Sequence, residues 1–263
     1  MTKIRFFKGS FCAVGTCCLI GLLQGLELNQ INQNSTSLET LENTLEEKSQ
    51  YLELISESPS IGFSNVKANV VFLDFLQYLG DDSARANTGY TMSATFFQSI
   101  IEDDPHYLDF YLFLSGSSSL IAGMPDETVE LMKQGLENLA PNQPSNSFYL
   151  WRYKAVDELL FLGESQAAQE SFQNAASWAQ LSDHPDSDLM ADISGQTAQF
   201  LSQDPDSRWA QINAWGSVLA NALDNDTRNR AATRIRELGG DIVMDENGNV
   251  RIEYAKADQD SDS

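Results

Sequence analysis

The residue types that most often bind metals or carry catalysis are few in this chain. Histidine occurs twice, as His106 and His184, and each adjoins a proline and nearby aspartates. Aspartate and histidine together can bind a metal, but no second histidine or cysteine completes either ligand set. A turn at a helix start explains both positions better. The sequence therefore predicts no metal site and no cofactor.

Two short motifs resemble known sites but lack residues that those sites need. The run Ser115 to Ser119 lacks the closing glycine of a hydrolase nucleophile elbow, and it falls inside a predicted helix. The run Asp245 to Asn249 places glycine fourth where a calcium loop needs it sixth, and Lys256 stands where that loop needs glutamate. Close helix approach and a hairpin turn explain these runs. We predict no catalytic residue and expect that the chain is not an enzyme.

The most informative polar cluster lies within LWRYKAVDELLFLG, at 150–163. Lys154 and Glu158 have the i,i+4 spacing of a helical ion pair, and Arg152 adds positive charge to an acidic chain. The spacing of Trp151 fits burial in a core better than it fits a ligand anchor. We nevertheless predict that Trp151, Arg152, Lys154 and Glu158 form the partner-binding surface.

The elements that carry this cluster repeat at an interval of forty residues. Glycine at each reversal, small residues at close approaches and a bulky residue one turn later indicate helical hairpins. A fixed period indicates that such pairs stack on one another. The aligned positions are Leu120, Gly123, Thr128, Met132, Gly135 and Leu139 with Leu160, Gly163, Ala168, Phe172, Ala175 and Ala179.

Helix boundaries follow from prolines, glycines and apolar spacing. Three Asp-Pro or His-Pro junctions predict helix starts near 105, 184 and 205. The predicted helices cover 107–122, 126–139, 148–162, 165–181, 187–201, 207–223 and 226–238. Upstream, we predict a strongly apolar helix at 63–79 that is sandwiched between neighbours, a loop at 81–91 and a short helix at 93–103.

The repeated skeleton resembles that of tetratricopeptide-repeat (TPR) proteins over roughly 105–239. The period here is about forty residues, whereas that family has about thirty-four. The segments at 72–80 and 150–163 are also similar to membrane-anchored cyanobacterial proteins of this type. The resemblance implies a groove for a protein partner, lined by the first helix of each pair, and it brings no catalytic motif.

The amino-terminal segment, 1–27, predicts a membrane anchor. Lys3, Arg5 and Lys8 precede an uncharged stretch at 9–26, a length between that of a signal-peptide core and a spanning helix. No small-x-small cleavage site follows, so we expect an uncleaved, single-pass anchor over a cleaved signal or a buried or peripheral helix. The positive-inside rule then places the amino terminus in the cytoplasm and the body in the periplasm or thylakoid lumen.

The remaining segments complete the predicted domain organisation. Residues 28–59 form a polar connector and an amphipathic stalk helix, which is either a dimerising coiled coil or, as we favour, a helix packed on the body. Residues 60–239 form the TPR-like repeat domain. Residues 240–254 form a β-hairpin with an Asn247-Gly248 turn, packed on the last helix or paired with another chain. Residues 255–263 form a disordered acidic tail.

The charge balance limits the possible partners. The chain has 16 basic and 38 acidic residues, for a net charge of −22. Such a field repels phosphate backbones, so we expect no nucleic-acid partner. The acidity is either a solvated surface or a face for a basic protein.

Together these features predict an all-α array of TPR-like helical hairpins with a membrane-anchor helix and a small carboxyl-terminal β-hairpin. We expect a membrane-tethered protein–protein interaction module, either a scaffold or an assembly factor. The alternatives are a structural or oligomeric subunit of a membrane complex and, less favoured, an all-helical enzyme. A homo-oligomer is also compatible with these features.

Overall fold

The computed structural model describes residues 38–59, 62–244 and 250–254. Within these ranges the chain is mostly helical and ends in a two-stranded antiparallel sheet, which confirms the predicted helical class and terminal hairpin. The predicted anchor at 1–27, the polar connector before residue 38, the Asn247-Gly248 turn and the tail at 255–263 lie outside the described residues. The chain divides into two compact units after Thr44, inside the first described helix.

None of the described helices combines the length and the apolar character that a membrane span requires.

The described helices and strands follow the predicted order. The helices are α1 (Leu38–Glu57), α2 (Ser64–Gly80), α3 (Asp82–Thr88), α4 (Ser93–Asp103), α5 (Asp109–Leu114), α6 (Pro125–Leu136), α7 (Phe148–Asp157), α8 (Ser165–Gln180), α9 (Ser187–Leu201), α10 (Arg208–Asn221) and α11 (Asn225–Glu237). π-helical segments follow α5 (Ser115–Ile121) and α7 (Glu158–Leu162). Strands β1 (Gly240–Met244) and β2 (Val250–Tyr254) pair with Ile242 opposite Ile252.

The forty-residue repeat corresponds to two helical hairpins with the same local structure. The first joins α5 and its π-helical segment to α6, and the second joins α7 and its π-helical segment to α8. Gly123 and Gly163 close the first arms with φ of 62° and 75°, left-handed values that favour glycine. The aligned Met132 and Phe172 are both buried. The repeat in the sequence is therefore a repeat in backbone and burial.

Three apolar clusters hold the helices of the larger unit together. The largest combines α2, α4, α5 and α6 with residues of α1 and α7, and four phenylalanines at its centre are fully buried: Phe75, Phe96, Phe97 and Phe110. Leu45, Leu52 and Ile55 of α1 pack against it, as the packing alternative for that helix predicts. The second cluster centres on Trp215 and the third on Phe172.

The terminal hairpin packs on the second cluster. Ile242 and Ile252 lie against a cluster that includes Ile212 and Trp215 of α10 and Ile235 of α11. A two-stranded sheet is marginal without such support. Of the two predicted alternatives, the described residues show packing on the body.

The predicted loop at 81–91 is wrong, because residues 82–88 form α3. Asp81 caps this helix by accepting a hydrogen bond from the Ala84 N–H at 3.0 Å. Arg85 is 3% exposed, stacks on Tyr78 at 3.7 Å from the ring centroid and donates to the Gly89 carbonyl at 2.6 Å. A buried cation fixed by tertiary contacts gives no apolar periodicity, so the pattern missed this helix.

The helix starts predicted at the three proline junctions are early. Helices α5, α9 and α10 begin at 109, 187 and 208. Pro105 and Pro185 lie in turns before their helices, and Pro205 lies in an irregular segment before α10. The residues preceding these helices make no side-chain capping hydrogen bond. The junctions therefore mark short non-helical segments that lead into helices.

The sandwiched arrangement predicted for the apolar helix at 63–79 is also wrong. Its buried face consists of Ala68, Val71, Phe75 and Tyr78. The stripe that periodicity predicted to be buried, Phe63, Val66, Val70, Leu73 and Leu76, is instead exposed. Both faces are apolar, so spacing alone could not show which of them meets the core.

Candidate partner-binding groove

A groove of about 440 Å³ lies between α6, α7 and α8. Trp151 and Lys154 of α7 contribute to its lining, with Leu136 of α6 and Ala167 of α8. The exposed side chains of Lys133, Glu137 and Glu170 also line it. The groove thus combines apolar surface around a half-buried tryptophan with exposed charged groups, and protein interfaces combine an apolar centre with a polar rim.

Trp151 is held in the groove by two neighbours. Its ring meets that of Trp178 edge-on, with 5.8 Å between centroids, and Lys154 Nζ lies 5.6 Å from its centroid. Its buried indole Nε1–H has no hydrogen-bond partner among the described residues. An indole normally satisfies this donor when it is buried. Trp151 is therefore part of the packing and also part of the groove surface.

Lys154 and Glu158 form a buried ion pair, completed by Ser171 of α8. Lys154 donates to the Glu158 carboxylate and, at 2.9 Å, to Ser171 Oγ. Ser171 Oγ in turn donates to Glu158 Oε2 at 2.6 Å. The side chains of Lys154 and Glu158 are 9% and 2% exposed, so these charges are paired inside the fold. The i,i+4 spacing predicts the ion pair, but no pattern in the sequence indicates its third member, Ser171.

Arg152 points away from the groove, towards α9. Its guanidinium donates to Ser194 Oγ at 2.6 Å and lies 5.9 Å from the centroid of the Phe172 ring. Partial burial lowers the pKa of this guanidinium. The four residues predicted to bind a partner are therefore divided: Trp151 and Lys154 line the groove, Arg152 contacts α9, and Glu158 is buried.

A second buried carboxylate links the two hairpins. Asp157 of α7 accepts hydrogen bonds from Ser115 Oγ at 2.9 Å and Ser119 Oγ at 3.0 Å. Burial raises the pKa of Asp157 to about 6, although both hydroxyl groups act to lower it. Perturbed carboxylates often mark active sites, but this one faces two serines in the interior. The i,i+4 spacing of Ser115 and Ser119 was the available signal for a shared acceptor.

A second groove, of about 570 Å³, lies between α4 and α6. Exposed carboxylates from the first turns of α6 line it, namely Asp126, Glu127 and Glu130. Ala94, Thr95 and Leu131 supply its less polar surface. Its charge would suit a cationic segment.

Neither histidine belongs to a metal-ligand set within the described ranges. His106 is exposed, and His184 Nδ1 accepts from the Asp186 N–H at 3.2 Å. The His184 ring also contacts Phe148 and Tyr149 edge-on. No group of three or more histidine, cysteine, aspartate or glutamate side chains suited to a metal ion occurs among the residues that the structure describes.

Comparison with known proteins identifies no relative: the chain matches no protein-family model, no curated protein and no solved structure.

Proposed function

We propose that this chain is a membrane-tethered interaction module, built of TPR-like helical hairpins, that binds a protein segment in the groove between α6, α7 and α8. The observation that carries the proposal is the groove lining, in which the half-buried Trp151 lies beside the exposed side chains of Lys133, Glu137 and Glu170. The amino-terminal apolar segment supplies the tether in this proposal. A scaffold or an assembly factor would use the groove in the same way.

The chemistry of the groove favours a partner segment with an apolar side chain next to a basic one. Trp151, Leu136 and Ala167 offer apolar contact surface, on which an aliphatic or aromatic side chain would be desolvated. Glu137 and Glu170 would pair with a lysine or arginine, while Lys133 lies 3.5 Å from Glu130. The net charge of −22 would accelerate the approach of a basic protein.

The test combines crosslinking with variants of the exposed lining. A photo-crosslinking amino acid at Asn174, which also lines the groove, is introduced into the full chain in intact source cells. Detergent extraction and mass spectrometry then identify the crosslinked protein. We expect Glu137→Lys/Glu170→Lys to reduce its capture about tenfold, because each reversal replaces an exposed charge pair, worth up to about 1 kcal/mol, with a repulsion of similar size.

The matched control is Glu53→Lys/Glu164→Lys, which makes the same charge change at two exposed positions outside the groove lining. It should leave capture unchanged, and far-UV circular dichroism should show the same helix content for both variants. Equal capture by the groove variant and the parent chain would refute this binding site. Lys154 is not used, because its reversal would leave Glu158 and a new carboxylate buried together.

The acidic groove between α4 and α6 is a second candidate binding site for a basic segment. Asp126→Lys/Glu127→Lys changes its charge by the same amount. Loss of capture in this variant, with capture intact in Glu137→Lys/Glu170→Lys, would move the partner site to this second groove.

A further inference from the structure

The exposed face of α2 has the composition of an interface. Phe63 and Leu73 are 66% and 60% exposed, and Val66, Val70 and Leu76 lie along the same side of the helix. Helix positions three and four apart form one continuous stripe. Contiguous apolar stripes of this kind on a monomer commonly mark contact sites.

This face carries no charge, although the chain as a whole is strongly acidic. Between Phe63 and Gly80 the only charged residues are Lys67 and Asp74. Both lie at the edge nearest α1: Lys67 Nζ donates to the Ser56 carbonyl of α1 at 3.2 Å and also pairs with Asp103 of α4, and Asp74 lies 4.0 Å from Lys48 of α1. The polar residues exposed on the face are the amides Asn65, Asn69 and Gln77.

We propose that this face binds the same face of a second copy of the chain, with the two α2 helices antiparallel. Two molecules that each carry −22 meet least repulsion where neither presents a charge. Depletion of charge with retained apolar and amide groups is also typical of interface centres. A lipid surface fits less well, because the face has no lysine or arginine for anionic headgroups.

An antiparallel pairing of this helix with itself is self-complementary. A two-fold axis between residues 71 and 72 places Val70 opposite Leu73 of the second copy, and Phe63 opposite Gly80. A side-chain Cβ built at Gly80 meets no atom within 4 Å, so there is space for the Phe63 ring at that end. The bulky end of one helix thus meets the open end of the other.

Neighbouring apolar residues enlarge the proposed interface. Leu112 and Phe113 of α5 are 50% and 45% exposed, and the Phe113 ring centroid lies 5.0 Å from that of Phe72 on α2. One helix face alone covers less than the roughly 800 Å² per partner of a standard interface. The α5 residues therefore extend the contact towards that size.

The first test is sedimentation of the full-length protein in detergent across a range of concentrations. We expect a monomer–dimer equilibrium that Leu73→Asp weakens at least tenfold, because it places two carboxylates near the two-fold axis. Leu181→Asp, at a residue 66% exposed on another surface, is the control and should leave dimerisation unchanged. A concentration-independent monomer would overturn the proposal, even if that monomer bound vesicles. A dimer that persists in folded Leu73→Asp would also overturn it.

A cysteine pair tests the register without a charge change. With Cys12, Cys17 and Cys18 replaced by serine, Val70→Cys/Leu73→Cys should give a disulfide-linked dimer on oxidation, while Leu181→Cys should not. Equal crosslinking by both variants would contradict the α2 interface. Partner capture through the groove is a separate readout, so either proposal can fail without the other.

Discussion

Asp157 is a buried carboxylate, and its protonation state should affect the free energy of unfolding. Its pKa of about 6 in the fold lies above the ordinary value of 3.8. A raised pKa means that the folded state holds the proton more tightly than the unfolded state. Its contribution to stability is therefore fully present below about pH 4 and is lost as the pH rises through about 6.

Asp157→Asn should remove this pH dependence, because the amide has the shape of the acid and cannot ionise. Between pH 4 and pH 7, the free energy of unfolding of the variant should rise relative to the parent by up to about 3 kcal/mol. Urea unfolding followed by circular dichroism measures both proteins. Asp188→Asn, at an exposed aspartate of α9, should keep the parent's dependence. A constant difference between Asp157→Asn and the parent would show that Asp157 does not titrate in this range.

Removing one member of the ion pair of Lys154 and Glu158 should lower the free energy of unfolding strongly, whereas replacing both members with apolar residues should lower it little. Glu158→Ala leaves a buried ammonium group whose one remaining hydrogen-bond partner among the described residues is Ser171, and we expect a loss of about 3–5 kcal/mol in the free energy of unfolding. The double variant Lys154→Leu/Glu158→Leu should recover most of that loss. The first hairpin already places Leu114 at the position that aligns with Lys154.

A double-mutant cycle by urea unfolding tests this expectation. The cycle compares Lys154→Leu, Glu158→Leu and the double variant, and additive losses in the three would show that the residues do not act as a pair.

At the scale of elements, Gly135 allows the first hairpin to close. A Cβ built at this position lies 2.2 Å from the Tyr111 hydroxyl oxygen and 2.4 Å from Cε1 of the same ring. Tyr111 is buried and donates to the Pro105 carbonyl at 3.0 Å, so its ring has little freedom to move. The glycine is thus required by the contact between α5 and α6.

Gly135→Ala should lower the free energy of unfolding by at least about 2 kcal/mol through overpacking. Gly116→Ala is the matched control, because its Cβ meets nothing within 4 Å. Alanine is the better helix former, so this control should be neutral or stabilising by up to about 1 kcal/mol. Thermal and urea unfolding of the two variants measure the difference. Equal free energies of unfolding for the two variants would show that the Tyr111 ring moves to accommodate the added methyl group without loss of stability.

The helices could be located from the sequence because their ends carry strong local signals. The seven helices predicted from 107 onwards are present to within three residues at each end, when each π-helical segment is counted with the helix it extends. Gly123 and Gly163 stop the first arms because only their left-handed backbone suits the reversal. The Asn-Gly signal likewise placed the two strands on either side of residues 247 and 248.

The candidate site was less predictable, because burial depends on contacts distant in sequence. An i,i+4 pair such as Lys154 and Glu158 is usually exposed, and only Ser171 of the next helix makes its burial acceptable. The position of Arg152 depends on Ser194, which is forty-two residues away. Trp151 was correctly placed on α7, yet its groove depends on α6 and α8, which no local pattern could position.

For the whole molecule, the excess of negative charge opposes the compact state. Screening by salt should therefore stabilise the protein. Raising NaCl from about 10 mM to about 500 mM should increase the melting temperature by roughly 2–8 °C, equivalent to about 1–2 kcal/mol. Circular dichroism melts measure the shift. Tetramethylammonium chloride at equal ionic strength should raise the melting temperature by a similar amount. A melting temperature that does not depend on salt would refute the expectation.

The hydrogen bonds from Ser115 and Ser119 to Asp157 couple the unfolding of the two hairpins. The hydroxyls belong to the first hairpin and the carboxylate to the second. If only one hairpin unfolded, buried polar groups of the other hairpin would lose their hydrogen-bond partners. Repeat arrays often unfold one repeat at a time, but here buried hydrogen bonds connect the two hairpins. Their amide protons should consequently exchange with solvent as one cooperative block.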